Sequence, residues 1–459
     1  MKLRKPPISH YYSVSSFPPT FTHQHQFSTK ASSKLLSEKE NNLDSTKNSV
    51  NVYQSKSRSS KRVISLRSPR AKENSHSQPI STLHFPMTPY EAKTKYIKYL
   101  TPYEIDEIQN YPQIYFLGWD SVKNKANHPN EFNNGFDTAK HHYKITIGDH
   151  IAYRYEIQSI IGQGSFGEVL KCLDHKTNTL VAIKVLENTP TTQVQGEFEI
   201  SILQHLSKDN NSSNAHIIQS LDSFHFRNHI CISFPILGKN LYQLSQSLYY
   251  RPVPTIQLRH ILYQLLTALS YCHSNHIIHC DIKPENIVLL PNSKKNIRLI
   301  DFGSACEIGR ERFDYIQSRF YRAPEVILGI PYGPPMDLWS FGCVVAEMIM
   351  GKPLFSGENE QEVLDGMMQI LGKPPVEYLA KGKYSSKYFY DDWKRKPLHI
   401  RSTSIPKRKR IGVLSLSQAT KIHDDLLLDL IQKCLEWDPS ERITASQALL
   451  HPWFQSSSN

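Results

Sequence analysis

Long apolar runs are missing from this sequence. No stretch approaches the roughly 18 consecutive apolar residues that a bilayer-spanning helix needs. The best apolar segment, Cys343 to Met350, is short and carries Glu347. The basic opening Lys2-Leu-Arg-Lys-Pro-Pro7 has no apolar core behind it, so it does not read as a secretory signal. Cysteine is sparse and scattered: 7 in 459 residues, none before Cys172, and no C-x-x-C pair. That spacing excludes a secreted disulfide framework and a zinc ribbon, and it favours a reducing compartment.

Acidic residues are nearly absent from two segments. Residues 1–86 hold 14 Lys/Arg against 4 Asp/Glu, and residues 381–420 hold 11 against 2. The remainder holds 29 against 36, so the net charge of +12 comes from a tail and an insert attached to a mildly acidic body. A nucleic-acid-binding protein more often spreads basic charge over a folded face with interleaved aromatics. Nucleic acid is therefore an unlikely partner, although Tyr384, Tyr388, Phe389, Tyr390 and Trp393 stand near the insert's lysines.

Residues 1–86 are rich in Ser, Lys, Asn and Gln and lack an apolar period, which predicts disorder. The first acidic residue is Glu38, as in a transit peptide; one Arg and four prolines before it argue against that reading. Ser68-Pro69, between Arg67 and Arg70, is a candidate phosphosite within a solvated linker. Order begins at Thr88-Pro-Tyr-Glu91, a capping box that Thr101-Pro-Tyr-Glu104 repeats, so two short helices are expected. Ile114 to Gly118 reads as a strand, and Asp120 to about Thr146 as a polar loop. Residues 87–154 form an accessory region too small for an independent core. Strands are expected over Ile157–Ile161, Val169–Leu173 and Leu180–Val185, and amphipathic helices after about Leu258. A β-rich unit followed by a helical one predicts an α+β protein of two lobes.

Gly162-Gln-Gly164-Ser-Phe-Gly167-Glu-Val169 is a glycine loop able to close backbone N–H groups over phosphates. A dinucleotide fold uses a similar string but needs a helix directly after it, whereas here a strand follows. Val181-Ala-Ile-Lys184 then ends in a lysine placed to grip phosphates, and Glu199 could pair with it. His279-Cys-Asp281-Ile-Lys283-Pro-Glu-Asn286 and Asp301-Phe-Gly303 follow. Phosphoryl transfer needs a carboxylate that orients the acceptor hydroxyl, here Asp281, with Lys283 within reach of the phosphate. It also needs oxygen ligands for Mg²⁺, here Asn286 and Asp301. Each residue alone has a dull alternative; in this order the set is specific.

These motifs resemble the protein-kinase superfamily over residues 155–454. The resemblance implies a bilobal fold, with an N-lobe over 155–237 and a C-lobe over 238–454. It implies that ATP lies among Ile161, Gly162, Gly164, Gly167 and Val169, with Ala182 and Val288 as roof and floor. Phe234 would be the gatekeeper and Pro235 and Leu237 the hinge. Pro235 should be tolerated, because the hinge uses only its carbonyl and the Leu237 amide. Ala323-Pro-Glu325 would close the activation segment, with Glu325 paired to Arg442, and Asp337 would anchor the catalytic loop.

Cys280 in place of an arginine, Ser304 after Asp301-Phe-Gly303, and Asp314-Tyr315-Ile-Gln-Ser-Arg319-Phe-Tyr-Arg322 are similar to the DYRK family, the dual-specificity tyrosine-phosphorylation-regulated kinases of the CMGC group. Met87-Thr-Pro, Tyr111-Pro-Gln-Ile-Tyr-Phe-Leu-Gly118 and Asp149-His-Ile-Ala-Tyr-Arg-Tyr-Glu156 resemble its class 2 branch. The resemblance implies autophosphorylation of Tyr315, then Pro-directed transfer to Ser/Thr, with Glu285 as partner for an upstream substrate Arg. The first tyrosine of the family's pair is Phe313 here. Because Cys280 removes the usual cationic seat, Arg319 and Arg322 are expected to hold phospho-Tyr315. Two other classes stay open: a scaffold that has lost catalysis, which predicts decay at Lys184, Asp281, Asn286 or Asp301 and finds none, and nucleic-acid binding. A monomer without membrane contact is expected, cytoplasmic or nuclear, with Pro406-Lys-Arg-Lys-Arg410 as a candidate import signal.

Overall fold

Helix caps mark where the described chain begins. A computed structural model describes residues 85–124, 132–164, 167–208, 214–311, 314–389 and 412–455. All belong to one unit, Gln78–Asn459. Residues 1–84 of the tail, with Ser68-Pro69, and 390–411 of the insert, with the Pro406 to Arg410 run, lie outside them.

Both capping boxes form. Thr88 accepts from the Glu91 amide, Glu91 returns to the Thr88 amide, and α1 (Pro89–Lys95) follows; Thr101 and Glu104 open α2 (Pro102–Glu107) in the same way. Around them Met87, Ala92, Leu100, Ile108, Ile114 and Leu117 bury against Tyr153. The expected strand over Ile114 to Gly118 does not form. Ile114 makes one bridge, to Met87, and the Tyr115 and Phe116 amides both turn to the Tyr153 carbonyl. Among the described residues no further strand extends that bridge into a ladder, and its apolar side chains serve as packing instead.

Six antiparallel strands follow: β1 (His150–Ile151), β2 (Tyr155–Gly164), β3 (Gly167–Asp174), β4 (Thr179–Leu186), β5 (Asp222–Phe226) and β6 (His229–Pro235), in sheet order β1-β2-β3-β4-β6-β5, with burial that alternates at the start of β2 and runs unbroken from His229 to Ser233 in β6. Between β4 and β5 runs α3 (Pro190–Ser207). It lies so close to the sheet that a Cβ on Gly196 would collide with Leu186 Cδ1. The chain turns mainly helical after β6, with α4 (Leu241–Ser247) and α5 (Thr255–Ser274). Short strands β7 (Ile277–Ile278), β8 (Ile287–Leu289), β9 (Ile297–Leu299) and β10 (Cys306–Glu307) pair as β7–β10 and β8–β9. Then come α6 (Pro324–Leu328), α7 (Pro335–Met350) and α8 (Glu360–Leu371). The apolar Cys343 to Met350 segment lies in α7, which is buried without a break from Met336 to Met348. Among the described residues no helix is long and apolar enough to cross a membrane. This is the bilobal α+β arrangement read from the sequence.

A buried polar cluster joins the accessory region to the sheet. Arg227, in the β5–β6 turn, donates to Glu104 (3.2 Å), to both Glu107 oxygens and to the Tyr143 hydroxyl (2.9 Å). Its guanidinium also stacks 4.0 Å from the Phe136 centroid. Glu104 further accepts from Lys123 (2.8 Å) and meets His150 Nε2 (2.9 Å). Burial alone would raise its carboxyl, but His150 and Lys123 hold it far below the usual range. Glu104, Asp149 and His150 lie near one another, yet two cations already occupy Glu104, so the group is a salt-bridged core and not a metal site.

Candidate active site

The glycine loop is the β2–β3 hairpin, with Gly162 opposite Val169 and Gly164 opposite Gly167. Gly167 has φ +151°, and a Cβ there would strike the Val185 carbonyl oxygen, so only glycine lets the loop fold onto β4. In β4, Ala182 pairs in register with Phe234 of β6, which continues through Pro235 towards Leu237. Val288 reaches the same region from the C-lobe by bridging Asn240, just after the hinge. Ala182 and Val288 are buried; Ile161 is exposed at the loop's edge.

Lys184 Nζ donates to both Glu199 oxygens, at 2.8 and 2.9 Å, and to Asp301 Oδ1 at 2.9 Å. Burial would lower this ammonium, but the two carboxylates outweigh it and hold the group charged. The same lysine pulls Asp301 down to about 2. Burial, together with the nearby Asp301 charge, leaves Glu199 above its ordinary value.

Asp281 sits on a loop whose backbone is tied to α7: the His279 and Cys280 amides each donate to Asp337, at 2.9 Å. Its carboxylate is held from three sides, by Lys283 Nζ (2.6 Å), Ser318 Oγ (2.8 Å) and Asn286 Nδ2 (3.2 Å). Asn286 Nδ2 also donates to the Asp281 carbonyl, at 2.9 Å, which leaves Oδ1 as the atom for a cation. Asp301 offers Oδ2, since Lys184 takes Oδ1. An ionised carboxylate and a neutral amide oxygen are donors that Mg²⁺ accepts, so these residues fit that ion. Phe302 is buried edge-on against His279, 4.9 Å between centroids. Cys280 is buried with φ +65°. The Glu325–Arg442 pair forms at 2.7 and 3.0 Å with both side chains fully enclosed.

At the activation segment the placement is mixed. Tyr315 is 63% exposed, and Arg322 stacks 3.9 Å from its ring centroid. Arg319 does not join them; it donates to the Glu358 carbonyl (2.7 Å). Arg322 also donates to the carbonyls of Ile316 (2.8 Å) and Gln317 (2.6 Å) and to Glu360 (2.9 Å). Gln317 has φ +69°, which turns its carbonyl inward to that guanidinium. In the insert, Tyr388 and Phe389 are buried and so unavailable to stack on bases; Tyr390 and Trp393 lie outside the described residues.

Sequence reading missed Ser318 and Gln195. The Gln195 side chain donates to the Gly303 carbonyl at 2.6 Å. A serine in a loop carries no signal by itself. Gln195, by contrast, stands one helical turn before Glu199, a spacing that could have found it.

Residues 155–454 match the family described as protein kinase domain. The chain is 43% identical over 354 residues to DYRK-family kinase pom1 of Schizosaccharomyces pombe, covering 77% of this chain and 32% of that protein. It is 41% identical over 388 residues to dual specificity tyrosine-phosphorylation-regulated kinase 3 of Homo sapiens, covering 81% and 66%. With dual specificity tyrosine-phosphorylation-regulated kinase 2 of Drosophila melanogaster it shares 41% over 377 residues, covering 82% and 52%. The match thus spans about one third to two thirds of these relatives' own length.

Proposed function

Because the chain belongs to the DYRK family of protein kinases, we propose that it phosphorylates its own Tyr315 and then transfers the γ-phosphate of ATP to Ser/Thr-Pro sites of protein substrates. The observation that carries this is the joined set Lys184–Glu199–Asp301 beside Asp281–Lys283–Asn286. Lys184, fixed by Glu199, holds the nucleotide phosphates, and the glycine loop covers them. Asp301 and Asn286 would hold Mg²⁺, which would supply charge neutralisation at the phosphates. Asp281 accepts the hydrogen of the substrate hydroxyl and aligns its oxygen for in-line attack. Lys283 offsets the charge that develops there.

The Pro preference is supported by the Gln317 turn. Its carbonyl is committed to Arg322, so a substrate residue just after the acceptor finds no acceptor for an N–H. A proline, having no N–H, loses nothing. Phosphate on Tyr315 takes Arg322 from Glu360 and draws Arg319 from Glu358. Placement in the class 2 branch rests on the accessory region, and a nuclear pool on Pro406 to Arg410. The test is turnover on a peptide and its Pro→Ala twin. At least tenfold preference for Ser-Pro is expected; equal rates would refute Pro direction, and no transfer to either would refute the kinase reading.

A further inference from the structure

Asp301 occupies a left-handed backbone position, uncommon for a residue other than glycine. Its φ of +65° lies in the left-handed region, which a residue with a Cβ keeps only when its surroundings hold it there. Something must hold the turn there, and two side chains do so from opposite sides. Upstream, His279 Nε2 lies 3.0 Å from the Ile300 carbonyl oxygen, and the Ile300 amide donates to the Asn286 carbonyl at 2.9 Å. Downstream, Gln195 Nε2 donates to the Gly303 carbonyl at 2.6 Å. The left-handed residue is thus bracketed by carbonyls that the catalytic loop and α3 each grip.

Gln195 precedes Glu199 by four residues, so both side chains project from one face of α3. Glu199 reaches Asp301 only through Lys184, whereas Gln195 reaches the turn's backbone directly. The fit is close: a Cβ on Gly303 would lie 3.2 Å from Glu199 Oε2. The Gln195 contact uses a neutral donor. It therefore needs no phosphate and no counter-charge.

We infer that Gln195 is a positioning residue that locks the Asp301 turn to α3 and so sets the metal-ligand geometry. The inference rests on the phosphotransfer reading above, in which Asp301 holds Mg²⁺. If α3 moves away, the Gly303 carbonyl loses its donor and Asp301 leaves its left-handed conformation.

The discriminating substitution is Gln195→Glu, which keeps shape and packing but replaces the donor by an acceptor facing a carbonyl. Gln195→Ala removes both. Two quantities are read on the full chain: the Mg²⁺ concentration giving half-maximal turnover of a Ser-Pro peptide, normalised to Tyr315 phosphate, and hydrogen exchange of amides 300–306 without metal or nucleotide. A positioning role makes Gln195→Glu at least as damaging as Gln195→Ala. The half-saturating Mg²⁺ should rise by about fivefold or more, the loss of roughly one hydrogen bond. Exchange should quicken in 300–306 while the melting temperature stays within about 2 °C. Gln195→Glu behaving as wild type in either readout would overturn the inference, because packing alone would then explain the contact. A variant too poorly phosphorylated for turnover is judged by fluorescent ATP-analogue binding against Mg²⁺, with Tyr315→Phe protein as reference; an equal Mg²⁺ requirement overturns the inference and a raised one supports it. An inactive wild type would instead refute the kinase reading.

Discussion

Replacing Arg227 by Met should destabilise the protein more than any single change in the accessory helices. The guanidinium is 1% exposed, and it faces Glu104 and Glu107, which are 2% and 10% exposed. Methionine keeps much of the apolar contact with Phe136 and Phe226, so the loss is chiefly electrostatic. Removing one partner of a buried ion pair leaves the other uncompensated, at about 3–5 kcal/mol. Lys123 and His150 still face Glu104, so the cost falls mainly on Glu107 and the lower half of that range is expected. For a unit of this size that lowers the melting temperature by about 5–10 °C. Adding Glu107→Gln should recover part of the loss, because the two residues couple directly. Calorimetry or dye-monitored melting reads both. An Arg227→Met protein melting within about 1 °C of wild type would refute the reasoning, as would a double variant whose loss is the simple sum.

Further outcomes follow from the site. Ser318→Ala removes a 2.8 Å hydrogen bond to the Asp281 carboxylate, so kcat should fall about tenfold with the KM for ATP within about twofold; steady-state kinetics measures the split. Asp301, held down at about 2 by Lys184, lends stability that is complete above the ordinary carboxylate range near pH 4 and lost as pH falls through 2. Asp301→Asn should therefore flatten the stability slope between pH 4 and 2 in urea titrations. Arg319→Ala with Arg322→Ala should lower both kinase activity and retained Tyr315 phosphate, read by peptide assay and mass spectrometry; no change in either would break the proposed lock.

The catalytic strings were legible because each fixes a local geometry that chemistry demands: a glycine where a Cβ would meet the Val185 carbonyl, a lysine within an apolar strand, a carboxylate where a strand gives way to a turn. The capping boxes were legible for the same reason, since Thr88 with Glu91 and Thr101 with Glu104 satisfy each other locally. What escaped depends on partners far along the chain. Arg227 sits in Phe226-Arg-Asn-His229, which reads as a solvated hairpin turn; only Glu104 and Glu107, more than a hundred residues earlier, make it a core residue. Ile114 to Gly118 has the composition of a strand but, among the described residues, no strand to pair with, and a five-residue apolar run cannot declare which. Arg319 stands four residues after Tyr315, yet the carbonyl of Glu358 claims it. Tyr388 and Phe389 read as aromatics among insert lysines, whereas both are enclosed in the C-lobe core.

Mass spectrometry of Tyr315 in protein made in bacteria, beside an Asp301→Asn control, tests the central claim most directly. Phosphate on the wild type and none on the control is the expected result, because transfer to Tyr315 requires the Lys184–Glu199–Asp301 set and the Asp281 base to work together in one chain. Unmodified Tyr315 in the wild type, or equal phosphate on both proteins, would contradict an autocatalytic kinase.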